Sequence, residues 1–359
     1  MMKSFSSPSL YIQGQDILLN HCDQMKRLGK RAVILSNGVA IDIAANPLSD
    51  KLNEQHLFSE VLTISDDFDD YALSCLCQKI RHSNAGIVIA VGGGKVIDTA
   101  KIIAAQVECR LVVIPTLAST DAPTSRLSAK YNRQGNFERY IFFDDSPALV
   151  MVDTSIIVNA PTRTLIAGIA DALATFIEYR AVQCGNGHNM FGDRQTITAG
   201  VLAEQASKTI FQNAELAIEA NNAHVVDNYF EAVVEANILM SGLGFESGGE
   251  AAAHSIANGL TTFISPAIMH GEKVAFGLLG QLILSKSSDI TYKKYLDFQR
   301  LLGLPVCLKD LGIMNDQNIL RQIAREILRP HETIHQMNLS FTEEDIVNML
   351  LQIDSYAKK

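Results

Sequence analysis

The run Gly86-Ile87-Val88-Ile89-Ala90-Val91 passes without a break into Gly92-Gly93-Gly94-Lys95. A continuous apolar, β-branched run suits a strand covered on both faces, which means a parallel sheet with helices packed above and below it. Residues 32–35, 61–64, 111–114 and 148–152 repeat the pattern more weakly, and residues 71–82 and 95–107 read as helices between them. After Asn159-Ala160-Pro161 the texture changes, with Pro161 suited to a first helical turn. Helical patterns follow at 164–182, 195–209, 225–243, 249–258, 273–284, 291–302, 317–328 and 342–357, with no further strand cluster. The expectation is an α/β domain of nucleotide-binding type over residues 1–160 and an all-helical domain over residues 161–359.

Thirty Lys and Arg against 39 Asp and Glu give a net charge of −9 with no basic run. That excludes a nucleic-acid binder relying on phosphate neutralisation. Only 19% of residues are charged and 47% are hydrophobic, which fits a well-buried, oligomeric protein. Residues 251–271 contain no Asp, Glu, Lys or Arg. His254, Asn258, Thr261, Thr262, Pro266 and His270 make this stretch too polar and too broken for a bilayer span. The amino-terminal residues hold no apolar signal core. The six cysteines form no C-x-x-C pair, so they are expected to be reduced, buried thiols of a cytoplasmic protein.

Gly92, Gly93 and Gly94 let a backbone approach a diphosphate closely, and the helix opening at Lys95, which carries Asp98 and Lys101, offers free N–H groups to it. A tight strand-to-helix connection would need the same glycines. At the end of the first strand an acidic residue would bind an adenine ribose; the residues there are the neutral Ser36 and Asn37. Asp171 sits in the small, apolar Gly168-Ile169-Ala170-Asp171-Ala172-Leu173-Ala174, where a carboxylate is costly without a partner or a cation. His254 lies on an alanine-rich helix, and His270 follows a Pro-containing loop sixteen residues later. Asp171, His254 and His270 together could make a three-ligand metal site with an open position, although a helix–helix hydrogen bond would equally explain Asp171 and a satisfied core residue His254.

These segments, with Pro115-Thr116-Leu117-Ala118-Ser119-Thr120-Asp121-Ala122-Pro123, Gly244-Phe245-Glu246-Ser247-Gly248-Gly249, His270-Gly271-Glu272-Lys273 and Glu332-Thr333-Ile334-His335, resemble the glycerol dehydrogenase branch of the metal-dependent, iron-containing-type alcohol dehydrogenases. The resemblance implies the fold shared with dehydroquinate synthase. It implies a catalytic Zn²⁺, or Fe²⁺ in its place, on Asp171, His254 and His270, all three then facing the substrate. It also implies that Asp121 and His254 are catalytic residues contacting a polyol. NAD would lie along Asn37, Gly92, Gly93, Gly94, Lys95, Asp98, Thr116, Ser119, Ser125, Leu127 and Tyr131. A homo-octamer is implied as well.

The chain departs from the family pattern at Asn37, where an Asp is frequent, and at Arg126 and Lys130, where small or apolar residues are usual. Ala257 stands where many relatives carry a second histidine, and the 254–270 loop is one residue shorter. The expected reaction is NAD-dependent oxidation of glycerol, or a related vicinal diol, to the ketone. The alternatives are another small-alcohol dehydrogenase of the same superfamily, and glycerol-1-phosphate dehydrogenase and dehydroquinate synthase, which share the turn and the metal site. The last two act on phosphate-bearing substrates that call for basic residues, and the uncharged 251–271 stretch favours a neutral polyol instead.

Overall fold

The structure is a computed structural model that describes residues 1–64, 70–131 and 137–358. The chain forms two compact units, one of residues 6–165 with 213–242, the other of residues 1–5, 166–212 and 243–359.

The first unit is built on a six-stranded, all-parallel sheet. Its strands are β1 (Tyr11–Gly14), β2 (Arg31–Ser36), β3 (Phe58–Thr63), β4 (Ile87–Gly92), β5 (Arg110–Pro115) and β8 (Leu149–Asp153), in the order β1-β8-β5-β4-β2-β3. Every residue of β4 is buried, as its unbroken apolar sequence requires. Each large side chain hidden there contributes about 1.5–3 kcal/mol, which makes this strand the anchor of the sheet. A separate antiparallel hairpin, β6 (Leu127–Tyr131) with β7 (Phe137–Phe142), was not expected from the sequence, nor was β1.

The order of the strands matters for function. From β2 the chain moves outward to β3 and then returns to place β4 on the other side of β2, so the direction of winding reverses between β2 and β4. In open α/β sheets, ligands bind outside the carboxyl ends of the strands at such a reversal. Ser36 pairs with Val91 and Gly92 with Pro115, which aligns the ends of β2, β4 and β5.

A single domain boundary near residue 160 differs from what is seen, because residues 213–242 join the unit that holds the sheet. Side-chain bonds explain this. Gln13 donates to Glu231 and Thr154 donates to Glu231 Oε1 at 2.6 Å. Thr124 donates to the carbonyl of Ile238, and Asn237 donates to those of Ala118 and Leu165. The single helix expected over 225–243 is instead a helix Asn228–Glu235, a wider π-helical turn Ala236–Met240, and a helix Ser241–Gly248. The π-helical turn is where Asn237 reaches those two carbonyls.

The second unit is helical and includes Thr162–Cys184, which begins four residues before it, Ala252–Leu260 and His270–Leu284. Among the described residues no helix is long and apolar enough to cross a membrane. The thiols depart in part from expectation: Cys22 and Cys77 are buried, Cys75, Cys109 and Cys307 are half-buried, and Cys184 is exposed. Cys184 is the last residue of its helix.

Candidate metal centre and nucleotide-binding turn

In the sheet unit the glycine turn is shaped by close approach. A Cβ on Gly92 would stand 3.0 Å from a methyl of Val96, and one on Gly93 would stand 3.2 Å from Leu117. The helix Gly94–Val107 then starts with no side-chain cap, leaving its first N–H groups available to a ligand. Asn37 follows β2, Thr116 and Ser119 are buried just after β5, and Lys95 is exposed. The amide of Thr116 donates to the carbonyl of Gly92, tying this loop to the turn.

Lys101 is 2% exposed. Its Nζ donates to the carbonyls of Ala122 and Leu127 at 2.7 Å and to Ser125 Oγ at 3.0 Å, with Asp98 4.0 Å away. A buried ammonium is tolerated only with such a set of acceptors, and here it pins residues 122–127 as one rigid loop. Burial pushes the Asp98 carboxyl up to about 6 against the opposing pull of Lys101. Ser125 and Leu127 thus meet Lys101, and the Tyr131 side chain lies outside the described residues. Asp121 is buried in this same unit and accepts from Ser241 Oγ at 2.8 Å.

The helical unit brings Asp171, His254 and His270 together, with one ligand atom from each lying within 4.8 Å of the others. His254 Nε2 and His270 Nε2 lie 3.5 and 3.4 Å from the same oxygen, Asp171 Oδ1. Three elements supply them: the middle of Thr162–Cys184, the first turn of Ala252–Leu260, and the first residue of His270–Leu284. Glycines let these helices touch. A Cβ on Gly271 would overlap the carbonyl oxygen of Ala167, one turn before Asp171, and a Cβ on Gly277 would overlap that of Ala253, beside His254.

A carboxylate and two imidazoles converging on one point suit a divalent zinc or iron ion. The charges agree. Burial pushes the Asp171 carboxyl up, but His270 and His254 outweigh it and hold the group well below the usual carboxylate range. Burial pushes the His254 imidazole down, but Glu250, Glu178 and Asp171 outweigh it and hold it well above its ordinary value. Both shifts mark a cluster whose surroundings favour positive charge.

Two features escaped the sequence reading. Glu178, two helical turns after Asp171, sets an oxygen 2.6 Å from His254 Nδ1. A carboxylate seven residues from Asp171 on the same helix face was the available signal. The other feature is negative charge around the uncharged 251–271 stretch: Glu250 Oε1 lies 3.8 Å from His254 Nε2, and Glu332 bonds Asn258 from the segment leading into Thr333–Met337. Fixed charge is absent from the stretch itself, but these carboxylates lie against it, and the buried Lys273 donates to Thr261 Oγ1 at 3.0 Å.

Burial pushes the Glu332 carboxyl from its ordinary 4.5 up to about 7, with the Asn258 bond opposing and Glu250 adding to the rise. The folded protein therefore keeps a proton that the unfolded chain releases. The group's contribution is fully present below about pH 4.5 and is lost as pH rises through about 7. Glu332→Gln, which mimics the protonated form, is expected to stabilise the metal-free protein at pH 8.5 by up to about 3 kcal/mol and to change little at pH 4.5. Thermal melts of both proteins at the two pH values check this; an equal shift at both would contradict the buried-carboxyl account.

A parallel sheet with a glycine turn at its point of reversal, and a separate carboxylate–imidazole triad, are the features of a protein that binds a nucleotide and a metal ion. The model of the iron-containing alcohol dehydrogenase family matches residues 8–154. The chain is 38% identical over 356 residues to a glycerol dehydrogenase of Pseudomonas putida, covering 99% of this chain and 98% of that one. It is 36% identical over 361 residues to a glycolaldehyde reductase of Halobacterium salinarum, covering 100% and 99%. The crystal structure of glycerol dehydrogenase from Schizosaccharomyces pombe superposes with a TM-score of 0.94 at 36% identity, covering 99% of this chain and 91% of that one. The chain belongs to the iron-containing alcohol dehydrogenase family and is an oxidoreductase.

Proposed function

We propose that this protein oxidises glycerol to dihydroxyacetone with NAD⁺, using a Zn²⁺ or Fe²⁺ ion held by Asp171, His254 and His270. The observation that carries the reading is the convergence of those three buried or half-buried ligands in a chain similar over its full length to glycerol dehydrogenases. A bound divalent ion supplies Lewis acidity that lowers the pKa of an alcohol, and NAD⁺ accepts the hydride. The C2–H bond of glycerol breaks with its electron pair going to the nicotinamide, and the hydroxyl proton leaves to solvent, giving ketone, NADH and H⁺.

The chain's own residues do the positioning. Asp171, His254 and His270 fix the ion. Asp121, held by Ser241, accepts a hydrogen bond from a substrate hydroxyl. Gly92, Gly93 and Gly94 cradle the diphosphate together with the first N–H groups of their helix, and Asn37, at the end of the neighbouring strand, meets the ribose. Lys95, Asp98, Thr116, Ser119, Ser125, Leu127 and Tyr131 complete the dinucleotide path, with Lys101 holding residues 122–127 in shape. A cytoplasmic homo-octamer completes the reading. Unpaired thiols support the compartment, and the exposed Ile197 and Val201, one helical turn apart, support contact between copies.

The second reading is reduction of a small aldehyde such as glycolaldehyde, favoured by the Halobacterium salinarum relative. Initial rates with glycerol, 1,2-propanediol and glycerol-1-phosphate, each with NAD⁺ and NADP⁺, and with glycolaldehyde and NADH, separate the two. The expected result is the highest kcat/KM for glycerol with NAD⁺ and none for the phosphate ester. Preference for glycolaldehyde by tenfold or more, or turnover of glycerol-1-phosphate, would overturn the polyol assignment.

A further inference from the structure

We infer that Glu178 is a positioning residue that selects the tautomer of His254, and so determines that Nε2 carries the free electron pair toward Asp171 and His270. The inference rests on the reading of the triad as a metal centre. Glu178 is on the helix Thr162–Cys184, with its side chain 1% exposed. Its two oxygens are used differently. Oε1 accepts from two backbone amides, those of Ala251 at 2.8 Å and His254 at 3.0 Å. Oε2 faces His254 Nδ1 at 2.6 Å.

With Oε1 taken by two amide donors, Oε2 at 2.6 Å is placed to accept from the ring, so Nδ1 carries the hydrogen and in the neutral ring Nε2 is bare. That nitrogen is the one aimed at the triad, 3.5 Å from Asp171 Oδ1. The helix Ala252–Leu260 has no side-chain cap of its own. The amide donors at its start are met by Glu178 and, for Ala252, by Gln281 Oε1 at 2.6 Å. One side chain therefore ends the helix and orients its metal ligand, as outer carboxylates do for ligating histidines in general.

The two backbone donors make a sharp test. In Glu178→Gln the amide carbonyl is held on Ala251 and His254, because flipping it would set an NH₂ against two N–H donors. The NH₂ is then locked facing His254 Nδ1, which must accept. The hydrogen moves to Nε2, and that nitrogen can no longer bind a metal without turning the ring away from Glu178. Shape, volume and the cap of the helix are kept.

Glu178→Gln, Asp171→Asn and wild-type protein would be stripped by chelation, and Zn²⁺ and Co²⁺ affinity measured by competition with a chelating dye, alongside melting of the metal-free forms. The expected result is a metal-free melting temperature within a few degrees of wild type and a Kd about 10- to 100-fold higher, with an altered Co²⁺ ligand-field spectrum. Unchanged Kd in Glu178→Gln would overturn the inference, as would loss of stability equal in the metal-free and loaded forms, which marks a purely structural role. Unchanged Kd in Asp171→Asn would instead overturn the metal-centre reading beneath it. Should Glu178→Gln not fold, ¹⁵N-histidine spectra of Zn²⁺-loaded wild type decide the matter. They must show His254 protonated on Nδ1, and a bare Nδ1 there would overturn the inference.

Discussion

His270→Ala is expected to give a folded protein that retains no stoichiometric metal and loses at least about a thousandfold in kcat/KM, equivalent to several kcal/mol of lost charge stabilisation. His270 is the first residue of its helix, and its side chain is 31% exposed. Removing it leaves little cavity, and the buried Asp171 keeps His254 Nε2 3.5 Å away. Asp171 and His254 remain, and two protein ligands do not hold a catalytic divalent ion tightly. Metal analysis after dialysis, a melting curve and initial rates report the three parts separately. A metal-free variant with wild-type turnover would remove the triad from the reaction.

Gly271→Ala should be strongly destabilising. The Cβ would overlap the carbonyl oxygen of Ala167, and a backbone atom in the middle of a packed helix cannot rotate away as a side chain would. Overpacking with flexible neighbours costs about 1–3 kcal/mol; here the two helices must separate, so about 3 kcal/mol or more is expected. The separation moves His270 away from Asp171, so metal affinity must fall together with stability. Gly303→Ala is a control with open space around the added carbon, although its positive φ of 67° favours glycine. Denaturant melts with and without metal check this. Wild-type stability in Gly271→Ala would show that close packing of these helices does not assemble the site.

Strands with continuous apolar sequence were legible because the chemistry of burial is local. The strand β4 and its glycine turn stand out from six residues and their neighbours. In contrast, β1 is four half-buried residues whose pairing with β8 supplies the order, and no local pattern announces it. The hairpin β6–β7 is equally quiet, with polar Lys130 opposite Arg139. The placement of residues 213–242 depends on side-chain bonds such as Thr154 to Glu231, made between residues 77 apart. For the site, Asp171, His254 and His270 were legible as polar residues set in small apolar helices. Glu178 was not, since its meaning lies in facing His254 across two helices. The carboxylates behind the uncharged stretch were hidden for the same reason: Glu250 and Glu332 come from different segments and meet only through the fold.

In the proposed reaction, an ion on Asp171, His254 and His270 is required for hydride transfer between glycerol and NAD⁺. Chelated protein should form no NADH from glycerol. Stepwise addition of Zn²⁺ or Fe²⁺ should restore the rate linearly and saturate at one equivalent per chain, while His270→Ala stays inactive throughout. Full NADH formation by the chelated protein, or restoration of His270→Ala by the same single equivalent, would contradict the account.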